Sequence, residues 1–244
     1  KKALQWHFIL VNPLDGIDPP KWRYKNNTEI PDKDELAKLF SALENETLKH
    51  KVWIMLTFST GIRRGELFGI RWNDIDFEEK TLSIQRSISN VNHKVTAKET
   101  KTPSSTRVIS LSDTIVTMLK EYRIEYEAHY QQIVNTNIFE GVGRIEDEYI
   151  FITHTGRVSH PDAFNSYLKA MTKRYGLMKI TPHTLRHCSA SYLIANNVDI
   201  QTVAARLGHA STAVTQTVYS HLLKSVERET ADVMEQIIKK NRTE

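Results

Sequence analysis

The stretch that most limits the possible folds is HKVWIMLTFST, residues 50–60. Its helical spacing leaves almost no polar face, and a helix that is apolar nearly all round has to be enclosed by other elements. Gly61 follows it, a residue that can end a helix in the left-handed conformation at low cost. A third, short helix starts at once in RRGELFGIRW. Upstream, TEIPDKDELAKLFSAL supplies a packing partner: Asp32 and Glu35 make a capping-box pattern, and Leu36, Leu39, Phe40 and Leu43 form one apolar stripe. The chain is expected to wrap helices around a buried central one.

From Asn73 the hydrophobic period changes to that of strands. DIDFEEKTLSIQRSIS alternates Ile75 and Phe77, then Leu82 and Ile84, with EEK as the turn, and is read as a hairpin. A polar stretch, NHKVTAKETKTPSST, leads to another strand, RVISL, giving one small antiparallel sheet of about three strands. A helix is expected from Asp113 to about Gln132, and YIFITHTGRVSH reads as a short strand and a loop. From Pro161 onward the pattern is helical, broken at Gly176, Asn196–Asn197 and Gly208. No internal repeat interrupts this order. The expected class is α+β, mainly helical with one small sheet.

The beginning of the chain reads differently. KKALQWHFILVNP is basic and then apolar, yet it carries Gln5 and His7 and lacks a small-residue cleavage site, so it reads as the last turns of a helix rather than a signal peptide. NPLDGIDPPKWRYKNN, residues 12–27, holds three prolines with Lys21, Arg23 and Lys25, the composition of an extended basic linker. A solvated tether and a strap along phosphates are both open readings of it. The expected division is therefore a helix end plus linker over residues 1–27 and one domain over residues 28–244.

Composition narrows the chemistry only slightly. The net charge of +4 permits nucleic-acid binding without requiring it. The single cysteine, Cys188, excludes an internal disulfide and suits a reducing cytoplasm. No run of about 18 apolar residues is present to span a membrane. His183 and His187 stand four apart on a helix, as zinc ligands often do. The metalloprotease pattern, however, needs Glu directly after the first His, where Thr184 stands, and Arg186 between the pair would repel a dication. There is no phosphate-binding G-x-x-x-x-G-K-[ST] motif, GVGRIED lacks the third glycine of the dinucleotide fingerprint, and no paired carboxylates suggest a two-metal site.

What remains is cationic and aromatic. In TPHTLRHCSASYL, Thr181 can cap a helix that Pro182 begins, and His183, Arg186 and His187 then share one face. STGIRRGEL sets Arg63 at a helix start with Glu66 three residues on, an arrangement equally compatible with a surface ion pair. VAARLGHASTAVTQTVYSHL ends a helix at Gly208, exposes His209, and brings Tyr219 on a polar segment.

Taken in order and at these separations, TGIRRGEL, TKTPSSTRVISL, HTLRH, LGHAS and TVYSH resemble the catalytic domain of the tyrosine recombinases, the phage-integrase family. The resemblance runs from about Thr28 to the C-terminus. It implies a site-specific DNA recombinase, an integrase of a mobile element or prophage, that cuts and rejoins DNA through a covalent 3′-phosphotyrosyl intermediate without metal, cofactor or ATP. It implies Tyr219 as nucleophile, His183 as general base, Arg63 and Arg186 as clamps on the phosphate oxygens, His209 as a further hydrogen-bond donor, and Lys101 as general acid. Glu66 and His187 would support them, with Glu66 orienting Arg63. Cys188 stands where the family has Thr or Ser and is expected to be structural. Arg71, Lys98, Arg107 and Lys173 are expected phosphate contacts. The implied partners are double-stranded attachment-site DNA, three further copies in a tetramer joined through the C-terminal helix, a directionality (excisionase) protein and host DNA-bending proteins, in the bacterial cytoplasm on the nucleoid. A type IB topoisomerase-like relaxing enzyme and a catalytically silent DNA-binding relative are the alternatives.

Overall fold

The computed structural model describes residues 2–18, 30–91, 94–99, 106–136, 138–141, 143–209, 211–213 and 215–216. The elements in chain order are α1 (Lys2–Gln5), α2 (Lys33–Leu43), α3 (Leu48–Thr60), α4 (Arg64–Phe68), β1 (Ile75–Asp76), β2 (Thr81–Ile84), β3 (Arg86–Val91), β4 (Lys94–Glu99), β5 (Arg107–Ser110), α5 (Asp113–Val134), α6 (Asp162–Tyr175), α7 (Pro182–Ala195) and α8 (Ile200–Leu207). Among the described residues, no helix is long and apolar enough to cross a membrane. The basic linker from Pro19 to Asn27, Lys101 and everything from Thr217 onward, Tyr219 and the C-terminal helix included, lie outside the described residues.

The all-round apolar helix is α3, and it is enclosed as its sequence requires: Val52, Trp53, Ile54 and Leu56 are buried, and α5 and α7 lie against it. Trp53 is the hub of an aromatic core, its ring 5.1 Å from Phe68, 5.5 Å from Phe164 and 5.8 Å from Phe151. Such pairs add about 0.5–1.5 kcal/mol each beyond the area they bury. The two buried hydroxyls of α3 are satisfied within the helix, Thr57 donating to the Trp53 carbonyl and Thr60 to that of Leu56.

Helix ends follow the local signals. Asp32 caps α2 by accepting from the Glu35 amide at 2.8 Å, whereas the Glu35 carboxylate turns to Lys38 and to the Met178 amide, so only half of the capping box forms. Thr181 accepts from the Thr184 amide at 3.0 Å at the start of α7, with Pro182 in its first turn. Gly61, Gly176 and Gly208 end α3, α6 and α8 in the left-handed region, and Asn197 does the same just beyond α7.

The expected hairpin and third strand form a sheet in the order β1-β2-β5, antiparallel throughout, with Ile75 opposite Leu82 and Leu82 opposite Ile109. Beside it stands a ribbon that the sequence reading did not separate. β3 and β4 pair with each other, Arg86 opposite Glu99, and with neither edge of the sheet. The polar KVTAKE of β4 has no alternation that marks a buried face, so it read as a loop. YIFITHTGRVSH forms no named strand; it is stitched by isolated bridges, Arg71 with Tyr149 and Ile152 with Val158.

The turn at Gly61 combines a left-handed backbone with close packing. Its φ is +65°, and a Cβ there would lie 2.5 Å from Leu207 Cδ2 of α8. Gly61→Ala combines left-handed strain of about 1–2 kcal/mol with overpacking of about 1–3 kcal/mol. Urea unfolding should therefore show a loss of about 2–5 kcal/mol; a loss of only about 1 kcal/mol, the strain alone, would mean that α8 does not pack on this turn.

Candidate functional site

Three helix ends meet at one cleft. The end of α3 supplies the Gly61 carbonyl, the start of α4 supplies Arg63 and Glu66, and the end of α8 supplies its last carbonyls and His209. The first turns of α7 bring His183 and Arg186 into the same space. The cleft measures about 870 Å³, and Arg63, His183, Arg186 and His209 all line it.

Carboxyl ends of helices carry unpaired carbonyls and a partial negative charge, and both attract guanidinium groups. Arg186 is 7% exposed and donates from Nη1 to the Gly61 carbonyl and from Nη2 to the Leu207 carbonyl at 2.8 Å. Hydrogen bonds to a charged group contribute about 1.5–3 kcal/mol each, which offsets the several kcal/mol that burying an ion costs. Arg63 donates from Nη2 to the Gly208 carbonyl at 2.8 Å and from Nη1 to Glu66 Oε1 at 2.8 Å. The other Glu66 oxygen accepts from the Arg63 amide at 2.9 Å, capping α4. Glu66 is 3% exposed. Burial pushes its carboxyl up, but the hydrogen bond and charge of Arg107, joined by Arg63, outweigh that and hold it below the usual carboxylate range.

The three histidines answer to the same cations. His187 Nε2 lies 2.9 Å from His183 Nε2, so one ring donates and the other accepts. Burial, followed by the Arg186 charge, pushes His183 below the ordinary imidazole value. Burial, with His183 and Arg186, takes His187 to about 4. Burial, with Arg186, Arg63, Arg107 and His187, takes His209 to about 4. His209 Nδ1 sits 2.8 Å from the hydroxyl of the buried Thr215, which fixes that ring. At neutral pH the cleft thus presents charged guanidinia beside uncharged imidazoles. Cys188 is fully buried behind this face, its thiol pushed up to about 12 by burial, which leaves it inert. Among the described residues, no group of three or more His, Cys, Asp or Glu could hold a metal ion.

The expected phosphate contacts separate. Lys173 is exposed on α6, and Lys98 lies on β4 with its side chain outside the described residues. Arg71 lies 4.7 Å over the Tyr149 ring and donates to its hydroxyl at 3.2 Å. Arg107 does not face the cleft: its side chain is 8% exposed and lies on Glu66. The sequence reading missed Arg64, Asn165, Lys169 and Lys179, which also line the cleft. Asn165 and Lys169 stand four apart on α6, on the exposed side that flanks its buried Phe164, Leu168 and Met171, a spacing that the helical pattern contained.

Comparison with known proteins supplies the lineage. A family model described as "Phage integrase family" matches residues 30–225. A tyrosine recombinase XerC-like protein of Caldanaerobacter subterraneus subsp. tengcongensis is 29% identical over 235 residues, covering 91% of this chain and 59% of that protein. The ICEBs1 integrase of Bacillus subtilis is 27% identical over 237 residues, covering 97% of this chain and 62% of that protein. The chain thus spans about three fifths of the length of these relatives. Among solved structures, the Tn1549 transposon integrase in complex with a circular intermediate DNA superposes with a TM-score of 0.70 at 18% identity, covering 95% of this chain and 74% of that one. Since the family model takes in residues 30–225 of 244, the chain belongs to the phage integrase family.

Proposed function

We propose that this chain is the catalytic part of a site-specific DNA recombinase, an integrase of a mobile element, which cuts and rejoins DNA through a 3′-phosphotyrosyl intermediate. The observation that carries the reading is the convergence of Arg63, Arg186, His183 and His209 on one cleft. Relatives named as integrases and recombinases support it, as do solved relatives in complex with DNA: the Tn1549 integrase with a circular intermediate, and XerH with its difH substrate. They favour recombination over the topoisomerase-like alternative, and the complete set of expected residues argues against a silent DNA-binding protein.

In this reading the Tyr219 oxygen attacks the scissile phosphorus as the P–O5′ bond breaks. A phenol with pKa near 10 is about 0.1% ionised at pH 7, so it must give up its proton during attack. His183 takes that proton. It is neutral for the purpose because of its burial and the Arg186 charge. In the tautomer whose Nε2–H donates to His187 Nε2, the nitrogen that takes the proton is Nδ1. Lys101 protonates the departing 5′ oxygen, a contribution of roughly 10²–10⁴-fold. Arg63 and Arg186 stabilise the charge that grows on the non-bridging oxygens, and His209 adds a neutral N–H from Nε2 in the tautomer whose Nδ1 accepts from the Thr215 hydroxyl. Glu66 and His187 orient Arg63 and His183. The phosphotyrosyl ester conserves the energy of the broken phosphodiester, so rejoining needs no nucleotide, and arginines supply the charge that a metal ion supplies elsewhere.

The same reading assigns residues 28–244 to the catalytic domain and residues 1–27 to the end of a DNA-clamping domain and its linker. Lys169, Lys173, Lys179 and Arg64 then track the flanking phosphates. Attachment-site duplexes are the substrate, with four copies assembled through the C-terminal helix, aided by excisionase and DNA-bending proteins on the nucleoid in the cytoplasm.

The direct test uses nicked duplexes made from the DNA that flanks the gene, because loss of the 5′ fragment traps the covalent adduct. Tyr219→Phe should abolish the adduct while leaving affinity within about threefold; an adduct that survives would reassign the nucleophile. Arg186→Lys keeps the charge but cannot span the Gly61 and Leu207 carbonyls together, so cleavage should drop about 10²–10³-fold, and full activity would undo the clamp. At subsaturating DNA, the acid limb of the rate should lie below pH 6.5, because the depressed pKa keeps His183 neutral to lower pH. A limb at or above that value would exclude His183 as the base.

A further inference from the structure

Arg107 is an internal residue with an unusual set of partners. It opens β5, six residues after Lys101 in the sequence, and its side chain is 8% exposed. It is absent from the cleft lining. Its Nη2 donates to Glu66 Oε2 at 2.8 Å, its Nη1 to Glu66 Oε1 at 3.3 Å, and its Nε to the Arg206 carbonyl at 2.8 Å. The two carboxylate oxygens it holds are the same two that hold Arg63, one by the guanidinium and one by the amide. Arg63 in turn reaches the Gly208 carbonyl, two residues beyond the carbonyl that Arg107 holds. The contacts close into a ring: Arg107 to Glu66, Glu66 to Arg63, Arg63 to Gly208, and back along the α8 turn to Arg206 and Arg107.

We propose that Arg107 is a positioning residue for phosphate activation, fixing the guanidinium of Arg63 and the α8 turn that carries His209 in one frame. The inference rests on the reading of the cleft as the recombination site.

An ordinary buried ion pair would need only the charge. This arrangement needs the fork as well, because two nitrogens must straddle Glu66 while the third reaches a backbone carbonyl on another element. A lysine at this place can hold Glu66 or Arg206, not both. Without that second hold, the last turn of α8 is tied to α4 by the Arg63 contact alone, and Arg63 must choose between Gly208 and an incoming phosphate. The steric fit points the same way. Gly208 has φ +67°, and a Cβ there would come within 2.7 Å of Arg107 Nη1 and 3.0 Å of its Cζ. The guanidinium is therefore pressed flat against the turn immediately before His209.

The test uses the full-length parent of this chain. ¹⁵N spectra of labelled arginine first read the free wild-type protein. The Nε–H of Arg107, donated to the Arg206 carbonyl, should exchange slowly with solvent. An Arg107 signal that exchanges as fast as those of exposed arginines would overturn the proposal whatever the variants do. In Arg107→Lys the Arg63 guanidinium resonances should shift as its hold on Glu66 and Gly208 loosens, single-turnover cleavage of the nicked duplex should fall about tenfold or more, and DNA affinity should stay within about threefold. The loss should be non-additive with Arg63→Lys, since both act on one group. Arg107→Gln serves in its place if the Lys variant melts abnormally. Wild-type cleavage rate in a folded variant, or a loss that multiplies with that of Arg63→Lys, would show Arg107 to be structural only. Absence of an adduct in the wild-type protein would sink the recombinase reading alone, because the exchange spectra decide the positioning role without activity.

Discussion

Three consecutive carbonyls at the end of α8 each accept from a different guanidinium: Arg206 from Arg107, Leu207 from Arg186 and Gly208 from Arg63. Bringing three like charges so close would be unfavourable in isolation. The helix end offers unpaired acceptors and a partial negative charge, and the buried carboxylate of Glu66 adds a full one between Arg63 and Arg107. The left-handed Gly208 turns the chain so that these carbonyls face inward together. If this end of α8 were displaced, Arg63, Arg107 and Arg186 would each lose a partner.

The rest of the fold can be understood as support for that junction. α3 is buried so that its last turn can present the Gly61 carbonyl to Arg186, and the same turn packs on Leu207 of α8. Ten of the fourteen residues of α7 are buried, Arg186 and His187 among them, so their side chains are held by packing as well as by hydrogen bonds. The small sheet contributes Arg107 at the start of β5. Electrostatically, the cations that are positioned for an anion also discharge the histidines. His187 and His209 are held to about 4, so the imidazoles act as neutral donors and acceptors beside fixed positive charge.

Much of this was legible in the sequence, for reasons that are local. A helix with no polar face must be enclosed, a threonine before a proline caps a helix, and a glycine after an apolar run ends one; α3, α7 and α8 obey these rules. The motifs around Arg63, His183, Arg186 and His209 placed four residues in one cleft. What stayed hidden was non-local. β4 of the β3–β4 ribbon is largely polar with its Val95 exposed, so no buried face announced the pairing. Arg107 read as a phosphate contact because a sequence displays charge but not partners, and its carboxylate is forty-one residues away. Arg71 was hidden in the same way, since its aromatic partner Tyr149 is seventy-eight residues off. Lys169 joins the cleft from α6, whereas Lys179 stands in the segment that leads into α7.

On this reading the carbonyl-anchored guanidinia of Arg63 and Arg186 form a site for one tetrahedral oxyanion. Crystals of this domain soaked in tungstate would test it without DNA, an attachment site or turnover. A single strong anomalous peak within hydrogen-bond distance of Arg63, Arg186 and His209 is the result expected. Peaks only along Lys169, Lys179 and other surface cations, with the arginine cleft empty at saturating tungstate, would contradict it.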